Sequence, residues 1–306
     1  MSDTGRKALL VVNPLCRHAR DAPLYIKALE EGGLILLRRE TTRIKMNDLI
    51  LSMKNEVDCV VLAGGDGTLG AGAIALRDTG LPLGIIPLGH QNELASRLGI
   101  PRDPAAAAAI ILEGNTARLN LGSVNGRPFF NVASVGLTVE SARSLNRAAR
   151  RGLAGMAYLW RALRLTTSFP RFSAIIRCGS IVHRVRTIQI TIGNGRTYAG
   201  AMLLGAATPL DEQTLGVYSL EPVGRWRLLF LHDAFTATPG ATHDEARLTR
   251  SPVVEVVTRL PRPITADGEV VTVTPARFSI LSRAVDIYVP ASPLPSTQGP
   301  GEGGSQ

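Results

Sequence analysis

The run Val60-Val-Leu-Ala-Gly-Gly-Asp-Gly-Thr68 carries an apolar stretch straight into three glycines, one carboxylate and one hydroxyl. It reads as a buried strand that ends in a phosphate cradle. Gly64, Gly65 and Gly67 tolerate φ > 0 and, lacking Cβ, let backbone N–H groups come close to an anion. Thr68 stands where a following helix begins, and that helix adds its orphan N–H groups and positive dipole end. Taken alone, Gly-Gly-Asp-Gly also suits a tight turn after a strand. The surroundings decide between the two.

From Lys7 to about Asn120 short apolar runs alternate with helical stretches. Strands are expected at Ala8–Val12, Gly33–Leu37, Cys59–Leu62 and Leu83–Ile86, and helices at Pro23–Glu31, Lys45–Lys54, Leu69–Arg77, Asn92–Leu98 and Pro104–Glu113. This βαβα order predicts a Rossmann-like α/β domain, a parallel sheet with helices on both faces and binding loops at the strand C-termini. Asn13-Pro14 and Gly64–Thr68 both fall at such ends, so they are expected to meet on one edge. After about Leu121 the pattern changes to strands without interleaved helices: Phe129–Val135, Phe172–Ile176, Arg184–Gly193, Met202–Ala206, Gly216–Leu220, Val253–Val257, Pro263–Ala266, Val270–Val273 and Ala284–Val289. Only Thr138–Thr166 and the stretch around Arg225–Phe235 look helical there. A mainly antiparallel β-sandwich is expected as the second domain. The division is 1–120, 121–291 and a Pro/Gly/Ser-rich tail, 292–306, expected to be disordered. No internal repeat is present.

At 306 residues the chain favours two domains over one. No apolar run approaches the roughly 20 residues that span a bilayer, and Ala8–Val12 is too short for a secretory signal, so a cytoplasmic protein is expected. Cys16, Cys59 and Cys178 are far apart and lack CxxC spacing, which suggests reduced thiols rather than disulfides or zinc. A formal charge of +9 points to an anionic partner. Arg143, Arg147, Arg150, Arg151, Arg161, Arg164 and Arg171 share one segment with Leu145, Leu153, Met156, Tyr158, Leu159, Trp160 and Leu163. That pattern fits a basic amphipathic helix pair facing anionic headgroups, or equally a solvated helical face over a core. No RNA-binding aromatic signature accompanies the charge, so nucleic acid is not expected as a partner.

The chain resembles the bacterial diacylglycerol/lipid kinases, whose catalytic domain is shared with eukaryotic diacylglycerol, sphingosine and ceramide kinases and more distantly with NAD kinases. The resemblance rests on Asn13-Pro14; Gly64–Thr68; Pro87-Leu-Gly-His-Gln-Asn-Glu-Leu-Ala-Ser-Arg-Leu-Gly-Ile-Pro101; Asn131-Val-Ala-Ser-Val-Gly136; Gly193-Asn-Gly195 with Gly200; Pro209-Leu-Asp211; and Asp267-Gly-Glu269. These landmarks occur in order and reach to about Pro290. The resemblance implies phosphoryl transfer from ATP to a lipid hydroxyl, with the nucleotide between the domains and the lipid at a membrane surface.

Such a reaction asks for backbone donors on the phosphates, a metal, and a carboxylate to take the hydroxyl proton. On the resemblance, Gly64, Gly65, Gly67 and Thr68 hold phosphates, Asp66 acts on Mg²⁺–ATP, and Asn13 with Thr41 or Thr42 lies near the nucleotide. Gly89, His90 and Asn92 occupy the family's second nucleotide loop. Glu269 matches the catalytic glutamate as general base, with Asp267 beside it, and Asp211 is a candidate metal ligand. In an extended Asp-x-Glu both carboxylates project from the same face, raising one pKa or binding a metal.

The chain also departs from the family pattern. It has His90 for a nucleotide-contacting threonine, Glu93 for an aspartate, Gly70-Ala71 for the usual Asn-Glu, and Gly216 where many relatives carry a second acid. His90 reads as a polar loop residue rather than a metal ligand, since no second histidine lies at ligand spacing. Two alternatives follow: an altered relative that binds lipid or nucleotide without turnover, or a kinase of a soluble substrate such as NAD.

Overall fold

The strands of the first half are buried on both faces because helices cover both sides of a parallel sheet. Cys59–Gly64 shows this most fully, with every residue buried. The structure is a computed structural model describing residues 5–40, 45–90, 92–136, 171–194, 197–198, 202–203, 213–221 and 246–291. The first half runs β1 (Lys7–Val12), α1 (Ala22–Glu31), β2 (Ile35–Glu40), α2 (Met46–Met53), β3 (Cys59–Gly64), α3 (Asp66–Thr79), β4 (Leu83–Pro87), α4 (Glu93–Arg97) and α5 (Pro104–Glu113). Strands β2, β1, β3 and β4 lie side by side and parallel, as the alternation predicts. The helix ends follow from local chemistry. Asp103 caps α5 by accepting from Ala106 N at 2.9 Å, Pro104 opens the helix, and Gly114 leaves it at φ 78°.

The second half contains β5 (Thr116–Val124), β6 (Arg127–Phe129), β7 (Val132–Gly136), β8 (Phe172–Cys178), β9 (Ile181–Thr187), β10 (Gln189–Asn194), β11 (Thr197–Tyr198), β12 (Met202–Leu203), β13 (Leu215–Leu220), β14 (Ala246–Ser251), β15 (Val253–Thr258), β16 (Pro263–Ala266), β17 (Glu269–Val273) and β18 (Ala276–Tyr288). One sheet, ordered β14-β13-β10-β7-β16-β17, is wholly antiparallel. The other extends the parallel sheet through β18, β15, β8 and β9, with β5 on β18 and β6 on β5. The expected Rossmann-like domain followed by an antiparallel β domain is therefore observed.

Several local expectations are corrected. The single strand expected over Phe129–Val135 breaks at Phe130-Asn131, and that over Arg184–Gly193 breaks at Ile188, where the chain passes from one sheet to the other. The expected Ala284–Val289 strand is only the end of the thirteen-residue β18. Its register against β5 shifts between Leu281 and Val285, with Arg283 at φ 51°. Residue 120, the expected boundary, lies inside β5. The first hydrophobic core recruits Val285, Ile287 and Tyr288 from the C-terminal strand, whereas Phe278, Val254 and Ile264 belong to a second core with Phe129 and Ile192. The expected helical stretches 138–166 and 225–235, nearly all of the arginine-rich segment, and the tail 292–306 lie outside the described residues. Among the described residues no helix is long and apolar enough to cross a membrane.

Candidate functional site

Three loops leave the C-terminal ends of β1, β3 and β4 and meet at one sheet edge. Asn13 N–H donates to Ala63 O at 3.0 Å, Leu88 N–H to Gly64 O at 3.0 Å, and His18 N–H to Leu88 O at 3.1 Å. Buried Asn13 also donates through Nδ2 to the Thr68 hydroxyl at 2.9 Å, so Thr68, itself fully buried, ties the first loop to the second. That tie needs Gly64: a Cβ there would stand 2.4 Å from Thr68 Oγ1. Between these buried residues Gly65, Asp66 and Gly67 stay partly exposed. Helix geometry leaves the first N–H groups of the fourteen-residue α3 without intrahelical acceptors, so the accessible stretch is its positive end.

The loop after β4 lies directly on this cradle. A Cβ on Gly89 would come within 2.5 Å of Gly65 Cα and 2.5 Å of Asn92 Oδ1, so the two glycine backbones are in contact. Asn92 holds the loop from the left-handed region, φ 53°, donating to Pro87 O at 3.0 Å and Gly89 O at 3.1 Å. With both amide hydrogens engaged, its buried Oδ1 is left as an acceptor without a protein partner. The exposed His90 accepts from Arg17 Nη1 at 3.0 Å through Nδ1, because arginine can only donate, and its carbonyl accepts from Arg102 at 2.8 Å.

Asp66 faces the second half of the chain. Its Oδ2 accepts from Glu93 N at 3.1 Å, and its Oδ1 from Leu94 N at 3.0 Å and Asn131 Nδ2 at 3.2 Å. Asn131 in turn donates its backbone N–H to Asp267 Oδ1 at 3.0 Å. Asp267 also accepts from Phe130 N at 2.7 Å and Val132 N at 3.2 Å. Burial pushes the Asp267 carboxyl up to about 6, against the downward pull of these three donors, and the Asp66 charge adds to the rise. Arg97 lies within the field of Asp267, Glu93 and Asp66, and donates to Asn194 O at 3.4 Å. Burial lowers the Arg97 pKa while those carboxylates raise it. Asn194 completes the junction by donating through Nδ2 to Asn120 O at 2.7 Å and Phe130 O at 3.0 Å.

Asp267-Gly268 is a two-residue turn between β16 and β17, with φ 46° and 90°. The extended Asp-x-Glu geometry expected from the sequence is therefore not what forms. The turn directs Asp267 into the Phe130–Val132 amides, and Glu269, half-buried, opens β17. Gly70 on α3 abuts this turn, since a Cβ there would lie 2.8 Å from Asp267 Cβ. The structure thus brings together Asn13, Gly64, Gly65, Asp66, Gly67, Thr68, Gly89, His90 and Asn92 at one edge and links them through Asn131 to the Asp267–Glu269 hairpin. Thr41, Thr42 and Asp211 lie outside the described residues. Arg97, Asn131 and Asn194 were not among the site residues expected from sequence, although each sits in a quoted landmark; their role emerges only where distant segments converge.

The diacylglycerol kinase catalytic domain model matches residues 7–124, and the YegS C-terminal NAD kinase beta sandwich-like domain model matches residues 131–289. A probable lipid kinase YegS-like protein of Pseudomonas aeruginosa is 32% identical, covering 77% of this chain and 78% of that one. A second, from Pseudomonas putida, is 28% identical over 96% of this chain and 99% of that one. A diacylglycerol kinase of Staphylococcus aureus is 25% identical over 93% of each. The chain spans 54% of the length of an uncharacterized Synechocystis relative at 28% identity. In fold it matches the crystal structure of a diacylglycerol kinase from Bacillus anthracis at TM-score 0.72 and 17% identity, covering 94% of this chain and 98% of that one. With both halves matched in order and the cradle joined to the Asp267–Glu269 hairpin, the chain belongs to the diacylglycerol kinase-like, YegS-type lipid kinase family.

Proposed function

We propose that the protein transfers the γ-phosphoryl group of ATP to the hydroxyl of a lipid. The observation that carries this reading is the Asp66–Asn131–Asp267 bridge, which sets the α3 cradle against the hairpin that presents Glu269. Gly65, Asp66 and Gly67 supply the accessible α3 end to the phosphates. Asn92 Oδ1 offers an acceptor at the contact of the two glycine loops, where a ligand or water donor satisfies it. Glu269 takes the proton of the lipid hydroxyl as its oxygen bonds to the γ-phosphorus; the bond to the β-phosphate oxygen breaks and ADP leaves.

Among the described residues no three His, Cys, Asp or Glu side chains cluster to enclose a cation. Asp66 Oδ1 already accepts two hydrogen bonds and Oδ2 accepts one, leaving a lone pair on Oδ2. That set fits Mg²⁺ in the way nucleotide sites hold it, through one or two carboxylates together with phosphates and water. Asp66 would hold it there, and the charge it supplies offsets the developing negative charge on the phosphate oxygens.

The names of the Staphylococcus and Pseudomonas relatives support a lipid acceptor. The test is transfer of radiolabel from γ-labelled ATP to diacylglycerol, phosphatidylglycerol, a sphingoid base and a polyprenol-type alcohol in mixed micelles. Labelled lipid phosphate is expected with at least one acceptor. Labelling of none, with transfer to NAD instead, would move the reading to a soluble-substrate kinase.

A further inference from the structure

Among the described residues, strand β17, Glu269-Val-Val-Thr-Val273, is the outermost strand of its sheet and pairs only with β16. Exposed edge strands are normally protected by charges, proline or a covering segment. Here Val270 is 66% exposed and Val273 48%, and after Glu269 the strand carries no charge. The neighbouring loop adds Leu260 at 70% exposure. That loop is fixed beside Val273: Thr274 N–H donates to Arg262 O at 2.9 Å, and Arg262 N–H to Thr274 Oγ1 at 2.9 Å. The Arg262 guanidinium is occupied over the Phe172 ring, 4.2 Å from its centroid.

Exposed Arg259 flanks this apolar rim, and exposed Arg127 follows the β5–β6 turn, which Asn125 Nδ2 joins to Thr272 Oγ1 at 3.4 Å. Neither arginine forms an ion pair among the described residues, in a chain whose formal charge is +9. The register against β16 shifts between Ile264 and Thr265, so Val270 stands opposite Thr265 and Val273 opposite Pro263, which puts both exposed valines on one face of the hairpin. Basic residues around an apolar rim complement anionic headgroups.

We propose that the β16–β17 hairpin is the surface on which the protein rests on a bilayer containing anionic lipid. Leu260, Val270 and Val273 enter the acyl boundary, Arg259 and Arg127 meet headgroup phosphates, and Glu269 is thereby carried to the interface where a lipid hydroxyl lies, a last step that rests on the kinase reading above.

The experiment is cosedimentation of the full chain with vesicles of phosphatidylcholine plus phosphatidylglycerol, and with phosphatidylcholine alone. Replacing Leu260, Val270 and Val273 by Ser should lower affinity for the mixed vesicles at least about tenfold, with melting temperature and ATP binding retained. Val270→Trp should raise that affinity with the wild-type melting temperature retained and no pelleting without vesicles. Arg127→Gln with Arg259→Gln should weaken binding to the anionic vesicles only, and the deficit should vanish at high salt. Equal vesicle binding by wild type and the triple Ser variant would overturn the proposal. So would loss of a dimer in sedimentation velocity with vesicle binding unchanged, because the rim would then join two copies. Hairpin-dependent vesicle binding without any lipid phosphorylation would count against the kinase reading alone; lipid phosphorylation without hairpin-dependent binding would count against the docking surface alone.

Discussion

Gly70 is a residue whose identity the fold explains only across the two halves of the chain. An interior helical glycine normally costs up to about 1 kcal/mol relative to alanine, so Gly→Ala in an open site stabilises. At Gly70 the added Cβ would sit 2.8 Å from Asp267 Cβ, and Asp267 is immobilised by three backbone donors. Overpacking of this kind costs about 1–3 kcal/mol, which exceeds the helix gain. Gly70→Ala should therefore lower the urea midpoint. A higher midpoint would show that α3 does not press on the hairpin. The same contact accounts for the absence of the usual Asn at position 70, where a small residue lets α3 approach Asp267.

Asp267 also makes a pH prediction. A carboxyl whose folded pKa is raised, here from 3.8 to about 6, favours its protonated form in the folded state. Its contribution to stability is then complete below about 3.8 and is lost as pH rises through about 6. The Asp66 charge is one of the causes of that rise. Asp66→Asn should accordingly shift the Asp267 carboxyl titration to lower pH, followed by carbon-13 NMR of the side-chain carboxyls. An unmoved titration would separate the two groups. Asp66 was legible from its glycine neighbours, and Asp267 only from its place in the series of family landmarks. Asn131 was not, because a lone asparagine after two phenylalanines carries no local signal of bridging two carboxylates.

At the scale of elements, the nucleotide edge depends on the close approach of the β3–α3 and β4–α4 loops. Gly89→Ala places a Cβ 2.5 Å from Gly65 Cα, backbone against atom, where no side-chain motion relieves it. The loops must part, and calorimetry should find ATP affinity reduced at least about tenfold, or about 1.4 kcal/mol. Unchanged affinity would mean that the contact does not shape the site. The parallel strands and their helices were readable because each is a continuous apolar run or a 3.6-residue pattern. β5 was not anticipated, since its buried stretch includes Asn120, Gly122 and Ser123, which break the pattern. β14 was not anticipated either, with two arginines among its six residues.

At the scale of the whole molecule, β18 binds the two halves together. It runs antiparallel to β5 through most of its length and reaches β4 in parallel at Ile287↔Leu83. Ending the chain at Arg283 would delete Val285, Ile287 and Tyr288, all at most 4% exposed. Burial of such side chains is worth about 1.5–3 kcal/mol each, so their combined loss approaches the 5–15 kcal/mol that holds a typical domain. The shortened chain should lose cooperative thermal unfolding, and a sharp transition near the full-length midpoint would refute the role given to β18. That return of the chain was hidden from sequence because Ala284–Val289 reads as one more strand of the second half, whatever sheet it joins.

The role proposed for Glu269, on the hairpin that the Asp66–Asn131–Asp267 bridge joins to α3, is to accept the proton of a lipid hydroxyl. Glu269→Gln keeps the shape and removes the basicity, and loss of a general base typically costs 10²–10⁴-fold in rate. The decisive measurement is γ-phosphate transfer to lipid by Glu269→Gln alongside calorimetric Mg²⁺–ATP binding. ATP affinity is expected within a few-fold of wild type, and lipid phosphorylation is expected to fall at least about a hundredfold. Transfer by Glu269→Gln at close to the wild-type rate would contradict that role.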